Sequence, residues 1–221
     1  MPRSGWPRSP NRIEPALMTA DTVDSIAALR ALYPLPKERA VRKQLAALDA
    51  HCRRFISLSP FLVLASAGTA GGLDASPRGG APGFVRVTDS GALLVPDAAG
   101  NNRLDTLENI IGTSQVGLLF LIPGVDETLR VNGRAVLSRA AADLGAFSDD
   151  RRPPLLVIRI QVQEAYLHCA KAFMRSGLWD SERQLERAAL PTMGEMINDQ
   201  LGAQGPAESQ EEMLRRYAAD L

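Results

Sequence analysis

The chain has 221 residues, a hydrophobic content of 45% and a formal net charge of zero. That is enough for one ordinary domain with added helices, or two small ones, around a real core. The balanced charge supplies no global field to recruit nucleic acid or an acidic membrane surface, and no apolar run approaches the roughly eighteen residues of a membrane span. Cys52 and Cys169 stand far apart and outside any CxxC pattern, which argues against a disulfide framework or a zinc site. His51 and His168 each adjoin a cysteine, but sequence neighbours on a helix or strand point in different directions. All four are read as packing residues, and no metal is expected.

Residues 1–20 carry Arg3, Arg8 and Arg12 among Pro2, Pro7, Pro10 and Pro15, without the apolar centre of a secretory signal. They read as a disordered tail, and the expected compartment is the cytoplasm. Asp21 or Thr22 then caps a short helix through Ala27, Ala28, Leu29 and Leu32, which Pro34 and Pro36 end. Val41, Leu45, Leu48, Cys52 and Phe55 recur at helical spacing and predict one strong helix over 37–55. Its other face holds Lys37, Arg39, Arg42, Lys43, Arg53 and Arg54. Without aromatic or groove-reading partners that face is merely solvated.

From Pro60 the texture turns to strands. Residues 61–66 form a short apolar strand, and Gly68, Gly71 and Gly72 a loose turn. Residues 73–76 form a second strand that ends in an irregular loop over 77–80. Third and fourth strands follow at 84–87 and 92–95. A helix over 104–112 interrupts, carried by Leu104, Leu107, Ile110 and Ile111. Residues 116–122 are nearly all apolar and should be central; Pro123-Gly124 is a turn. Over 128–137, Leu129, Val131, Gly133, Ala135 and Leu137 face one way and Arg130, Asn132 and Arg134 the other. A short helix is expected over 140–147 and a long strand over 155–166. The remainder is helical: 168–174, then a helix from Pro191 or Thr192 with Thr192 and Glu195 as a capping box and Gly202 and Gly205 ending it, then 208–221. About seven strands with one inserted helix suggest an antiparallel barrel, not alternating β/α units. The organisation expected is a tail (1–20), N-terminal helices packing on the barrel (21–59), the barrel core (60–180) and a C-terminal helical extension (181–221), one domain overall.

Chemistry concentrates in three stretches rich in glycine and arginine. Between the apolar run ending at Val95 and the helix lie Pro96, Asp97, Gly100, Asn101, Asn102 and Arg103. A helix start offers free N–H groups and a positive dipole end, and arginine offers a planar fork of donors. Asn101, Asn102, Arg103 and the first helical turn therefore suit a phosphate; the alternative is a helix capped by Asn102 with Arg103 in solvent. Ser76-Pro77-Arg78-Gly79 is the second stretch, where Arg78 either meets an anion or caps a turn. The third holds Lys171, Arg175, Ser176 and Trp179. There the two cations either meet an anion or are solvated, and the tryptophan either covers a ring or plugs a core. Taken together, the three suit a phosphorylated aromatic ligand. No Gly-x-Gly-x-x-Gly, P-loop or Gly-x-Ser-x-Gly motif is present. If the chain is an enzyme, a cofactor carries its chemistry.

Ser76-Pro77-Arg78-Gly79 with Pro82-Gly83-Phe84-Val85, Leu94-Val95-Pro96-Asp97 with Gly100-Asn101-Asn102-Arg103-Leu104-Asp105-Thr106, Leu118-Leu119-Phe120-Leu121-Ile122-Pro123-Gly124, Glu127-Thr128-Leu129-Arg130-Val131-Asn132-Gly133-Arg134-Ala135, and Ala170-Lys171-Ala172-Phe173-Met174-Arg175-Ser176 with Leu178-Trp179 together resemble the pyridoxamine 5′-phosphate oxidase-like flavoproteins. The resemblance spans about residues 35–200 and points to a bacterial FMN-binding branch, not to the vitamin B6 oxidases. It implies a mainly β fold with flanking helices: an antiparallel split barrel of six to seven strands. It also implies a homodimer holding two FMN molecules at the subunit interface. By this resemblance Arg78 and Asn102-Arg103 hold the FMN phosphate, and backbone around Ser76, Val95, Pro96 and Asp97 lines the ring. Lys171, Arg175, Ser176 and Trp179 reach the flavin or its phosphate, with the opposite subunit as their expected source. The B6 oxidases carry Ser-Arg-Lys where this chain reads Asn102-Arg103-Leu104, so the arginine is kept and the lysine lost. Their arginine–histidine substrate-binding ending is absent. The implied activity is FMN-dependent hydride transfer at flavin N5, on a small substrate or from a nicotinamide donor. The alternatives are a flavin-binding or stress-related protein without turnover, or a split barrel holding a deazaflavin or haem.

Overall fold

The computed structural model describes residue 19, residues 21–98 and residues 100–218. Apart from residue 19, the expected N-terminal tail lies outside the described residues, as do residues 219–221 of the expected last helix. The chain divides into two compact units, Met1–Phe173 and Met174–Leu221.

The first unit is built on seven strands: β1 (Phe61–Ala67), β2 (Leu73–Gly79), β3 (Arg86–Val87), β4 (Leu93–Pro96), β5 (Gln115–Ile122), β6 (Val125–Ser138) and β7 (Val157–His168). They form one sheet in the order β2-β1-β5-β6-β7-β4-β3, and every neighbouring pair is antiparallel. The long strands alternate as their sequences predict. On β6, Leu129, Val131 and Ala135 are buried while Arg134 and Val136 are exposed. On β1, Leu62, Leu64 and Ser66 turn inward and Phe61 and Ala65 outward. Phe120, Leu129, Ile158 and Ile160 are fully buried at the centre, each contributing about 1.5–3 kcal/mol by leaving water. A register shift between Asn132 and Gly133 bends β6 against β7. A side chain at Gly133 would run into the Gln161 carbonyl, so the bend depends on the missing Cβ.

The sheet is curled. β2 is one edge, and β4 lies one strand in from the other, yet Arg78 on β2 pairs with Asp97 just beyond β4 at 3.0 Å. This is a mainly β, antiparallel split barrel with flanking helices. β2 runs on to Gly79 instead of stopping at Ser76, because an edge strand tolerates Pro77 on its unpaired side. β3 is shorter than 84–87: Phe84 and Val85 enter the core, and only Arg86 and Val87 pair.

The predicted helix over 37–55 is broken. Residues Glu38–Arg42 form α2 and Ala50–Leu58 form α3, following α1 at Ile26–Leu32. Between α2 and α3, Leu45 donates to and accepts from the Ala165 backbone of β7, at 2.9 and 2.8 Å. Asp49 then caps α3 by accepting from the Cys52 amide at 2.8 Å. α1 is capped by Ser25, not by Asp21 or Thr22. Of the four Cys and His residues read as packing, only Cys52 packs; His51, His168 and Cys169 are exposed. Among the described residues no cluster of His, Cys, Asp and Glu could hold a metal ion, and no helix is long and apolar enough to cross a membrane.

α4 (Asp105–Thr113) crosses the sheet and buries Leu107 and Ile110. α5 (Ala141–Gly145) is anchored by buried Asp143, which accepts from Arg159 on β7 and Ser138 on β6. α6 spans Lys171–Ser176. The second unit holds α7 (Met193–Leu201) and α8 (Gln210–Ala218). α7 starts with the predicted capping box of Thr192 and Glu195 and ends at Gly202 with φ +61°. None of the described residues of this unit is fully buried, in keeping with a segment too small for its own core.

Candidate functional site

The curled edges of the sheet and the start of α4 bring together most of the residues that the sequence singles out in the first unit. Strand periodicity places Asp74, Ser76 and Arg78 of β2 on the half-buried side, with Ala75 and Pro77 on the exposed side. The Ser76 hydroxyl donates to the Asp74 carboxylate at 3.0 Å. From the first turn of α4, the buried Thr106 hydroxyl donates to Asp74 Oδ2 at 2.5 Å and lies 3.1 Å from Ser76 Oγ. Asp74 thus ties the edge strand to the helix start.

Arg78 extends from the same face to Asp97. Their side chains are 18% and 20% exposed, so the ion pair is partly shielded from water. Asp97 is itself held by its amide, which donates to the Leu156 carbonyl at 3.2 Å. Arg78 Nε is buried and has no hydrogen-bond partner. Val95 and Pro96 pair with Ile158 and Val157 of β7. The Val95 side chain is wholly in the core, so Val95 can offer a ligand backbone only.

The segment after β4 departs from the predicted cap. The helix begins at Asp105, and its N-cap position is Leu104 rather than Asn102, with φ +60° and no side-chain cap. Asn102 is also left-handed, at φ +59°, a conformation asparagine tolerates better than leucine does. Asn101 bends the turn by accepting from the Arg103 amide at 3.1 Å. Two left-handed residues before an uncapped helix leave a loop of backbone N–H groups suited to an anion. Arg103 is exposed and its Nε donates to Asp105 at 2.7 Å. Hydrogen bonding and charge from Asp105, with Asp74 contributing at longer range, push the Arg103 guanidinium pKa up.

The neighbourhood therefore sets two guanidiniums, Arg78 and Arg103, against three carboxylates, Asp74, Asp97 and Asp105. Asp74 and Thr106 are absent from the residues that the sequence marks as a site. Continuing the alternation of β2 back from Arg78 through Ser76 reaches Asp74, the one signal that could have found it. Lys171 and Arg175 are exposed on α6, as is Ser176. Arg175, Ser176 and the half-buried Trp179 belong to the second unit.

The sequence profile of the pyridoxamine 5′-phosphate oxidase family matches residues 48–169, more than half of the chain and all seven strands. The chain belongs to this family. The family is one of flavin-binding split barrels. No curated protein matches the chain. Among solved structures, it is similar to HupZ from Group A Streptococcus, at 14% identity over 54% of this chain and 93% of that one, TM-score 0.46. It is similar to the FAD binding protein from Mycobacterium smegmatis, at 15% identity over 56% and 97%, TM-score 0.41. It is also similar to a Clostridium acetobutylicum protein related to general stress protein 26, at 10% identity over 53% and 85%, TM-score 0.41. The family assignment rests on the sequence profile, not on these remote likenesses. The residues present fit the phosphate end of a flavin nucleotide: a buried guanidinium N–H lacks an acceptor, and the adjoining helix start lacks a side-chain cap.

Proposed function

We propose that the chain is an FMN-dependent oxidoreductase. In this reading the FMN phosphate lies between Arg78 and the Asn101–Arg103 turn. The observation that carries it is Arg78 itself, a largely buried arginine at the sheet's split whose Nε–H has no acceptor. A buried donor left unpaired costs about 1–3 kcal/mol, and an incoming phosphate oxygen would remove that penalty.

FMN, when bound, supplies hydride exchange at its N5 with a small substrate or a nicotinamide donor. The protein's own tasks are to bind and orient. Arg78 and Arg103 hold the phosphate; Ser76 and the backbone of Val95, Pro96 and Asp97 border the ring. Asp74, which accepts from Ser76 and Thr106, ties the edge strand to the start of α4. Hydride transfer needs no side-chain base.

A homodimer in the cytoplasm is part of the proposal, with Lys171, Arg175, Ser176 and Trp179 of the opposite subunit completing the site. The outward face of β1 and β5 supports it. Phe61 stands opposite Leu121 and Val63 opposite Leu119, an apolar row that is not fully buried within one chain.

The test starts with the absorption spectrum of the purified protein and the mass of the compound released by heat. Flavin bands and a mass of FMN support the reading; a colourless protein that takes up no added FMN refutes it. NADH and NADPH oxidation by the loaded protein then separates turnover from flavin binding alone, and sedimentation gives the subunit number.

A further inference from the structure

We propose that Asp97 is an internal anion that occupies Arg78 in the flavin-free protein and is displaced by the phosphate of the bound ligand, so that it limits the preference for phosphorylated over unphosphorylated flavin. This rests on the reading of the cleft as a flavin site.

Three observations carry it. First, Arg78 and Asp97 come from opposite sides of the sheet's split, β2 and the end of β4, and their 3.0 Å ion pair joins the two. Arg103 and Asp105, by contrast, are two residues apart in an exposed turn and join nothing. Second, the pair does not satisfy Arg78. Nη1 donates to Asp97 Oδ1 while the buried Nε has no acceptor. A guanidinium recognises phosphate best through two parallel N–H groups, and the strap to Asp97 uses one. The strapped state therefore keeps a buried donor unpaired, which lowers the cost of releasing it. Third, Asp97 is anchored independently, through its amide on the Leu156 carbonyl, so its carboxylate stays at the site after Arg78 turns away. A bound phosphate has to win Arg78 from that carboxylate and then sit near it, with Asp74 and Asp105 adding the same sign of charge.

Removing the charge while keeping the shape, as Asp97→Asn, should favour FMN over riboflavin, because riboflavin carries no phosphate to compete. Flavin-free full-length protein, wild type and variant, is titrated with FMN and with riboflavin by quenching of flavin fluorescence. The ratio of FMN to riboflavin affinity should rise by about three- to tenfold in Asp97→Asn, the worth of one partly screened charge contact. An unchanged or lower ratio overturns the proposal and makes Asp97 a positioning group for Arg78. The gain must also vanish when Asp97→Asn is made on an Arg78→Gln background; a gain that persists there shows that Asp97 does not act through Arg78, and overturns the proposal too. Should Asp97→Asn fail to fold, the Arg78 Nε–H resonance of the wild-type protein, assigned with Arg78→Lys, must move on addition of FMN; a resonance that stays in place is equally fatal. Wild-type protein that binds neither flavin refutes the flavin site itself. Wild-type binding without the expected ratio refutes the displacement alone.

Discussion

Replacing Arg78 and Arg103 separately by alanine should give unequal losses of FMN affinity, although the sequence presents the two as equivalent phosphate ligands. The Arg78 side chain is 18% exposed and that of Arg103 68% exposed. A charge-assisted hydrogen bond shielded from water is worth about 1.5–3 kcal/mol. At about 1.4 kcal/mol per decade of affinity, Arg78→Ala should weaken FMN binding roughly 10- to 150-fold. Arg103 works in full solvent and is already engaged by Asp105, so Arg103→Ala should cost less than about fivefold. Arg78→Ala also leaves Asp97 unpaired and opens the split, but it removes the orphaned Nε as well. The net loss of fold stability should therefore stay near 1 kcal/mol, visible as a small drop in Tm. Isothermal or fluorescence titration gives the affinities, and a melt of the flavin-free variants separates binding from folding. If Arg103→Ala costs more than Arg78→Ala, or if Arg78→Ala binds FMN within twofold of wild type, burial at the sheet edge is the wrong criterion for the phosphate ligand.

Asp143→Ala should lower stability by about 2 kcal/mol in urea denaturation: Arg159 and Ser138 lose an 8%-exposed carboxylate acceptor, but Arg159, 38% exposed, can turn to water. Gly133→Ala should cost about 2–4 kcal/mol, since a methyl there meets the Gln161 carbonyl and must open the β6–β7 ladder; a melt within one degree of wild type would show that the bend yields freely. Burial pushes the Cys52 thiol up to about 11 from an ordinary 9.0. Because the folded state holds that proton more tightly, Cys52 contributes its full stability below pH 9 and loses it as pH rises from 9 toward 11. The stability gap between wild type and Cys52→Ala should accordingly narrow over that interval, and a constant gap would refute the assignment. In the native protein a thiol reagent at pH 8 should find Cys169 alone, and both thiols after denaturation.

What the chain carries locally is legible without coordinates. The alternation of Leu129, Val131 and Ala135 against Arg130, Asn132 and Arg134 sets the faces of β6, and Gly124 marks the hairpin before it. Thr192 and Glu195 announce a helix start four residues long, and Gly202 its end. These signals are local because strand period, capping and left-handed turns are settled by neighbours a few residues away. The arginines of the cleft are legible too, as residue types whose chemistry suits phosphate.

The fold decided the remainder. Val41, Leu45, Leu48, Cys52 and Phe55 keep helical spacing, yet the backbone of Leu45 joins Ala165 in a distant strand and Asp49 restarts the helix. A period reports which side of a segment is apolar and cannot report that a remote strand edge will claim its hydrogen bonds. In the same way Asn102 has the chemistry of a cap, but the turn that fits α4 against β1 and β2 puts Leu104 at that position. The partners of Arg78 and Asp74 appear only once the sheet curls. Asp97 meets Arg78 across the split because edges far apart in strand order become neighbours in space, and Thr106 meets Asp74 because α4 packs beside β2. Burial, which separates Arg78 from Arg103, is a property of that closure: each arginine has the same charge and the same donors, and only the surrounding protein determines how much water competes for them.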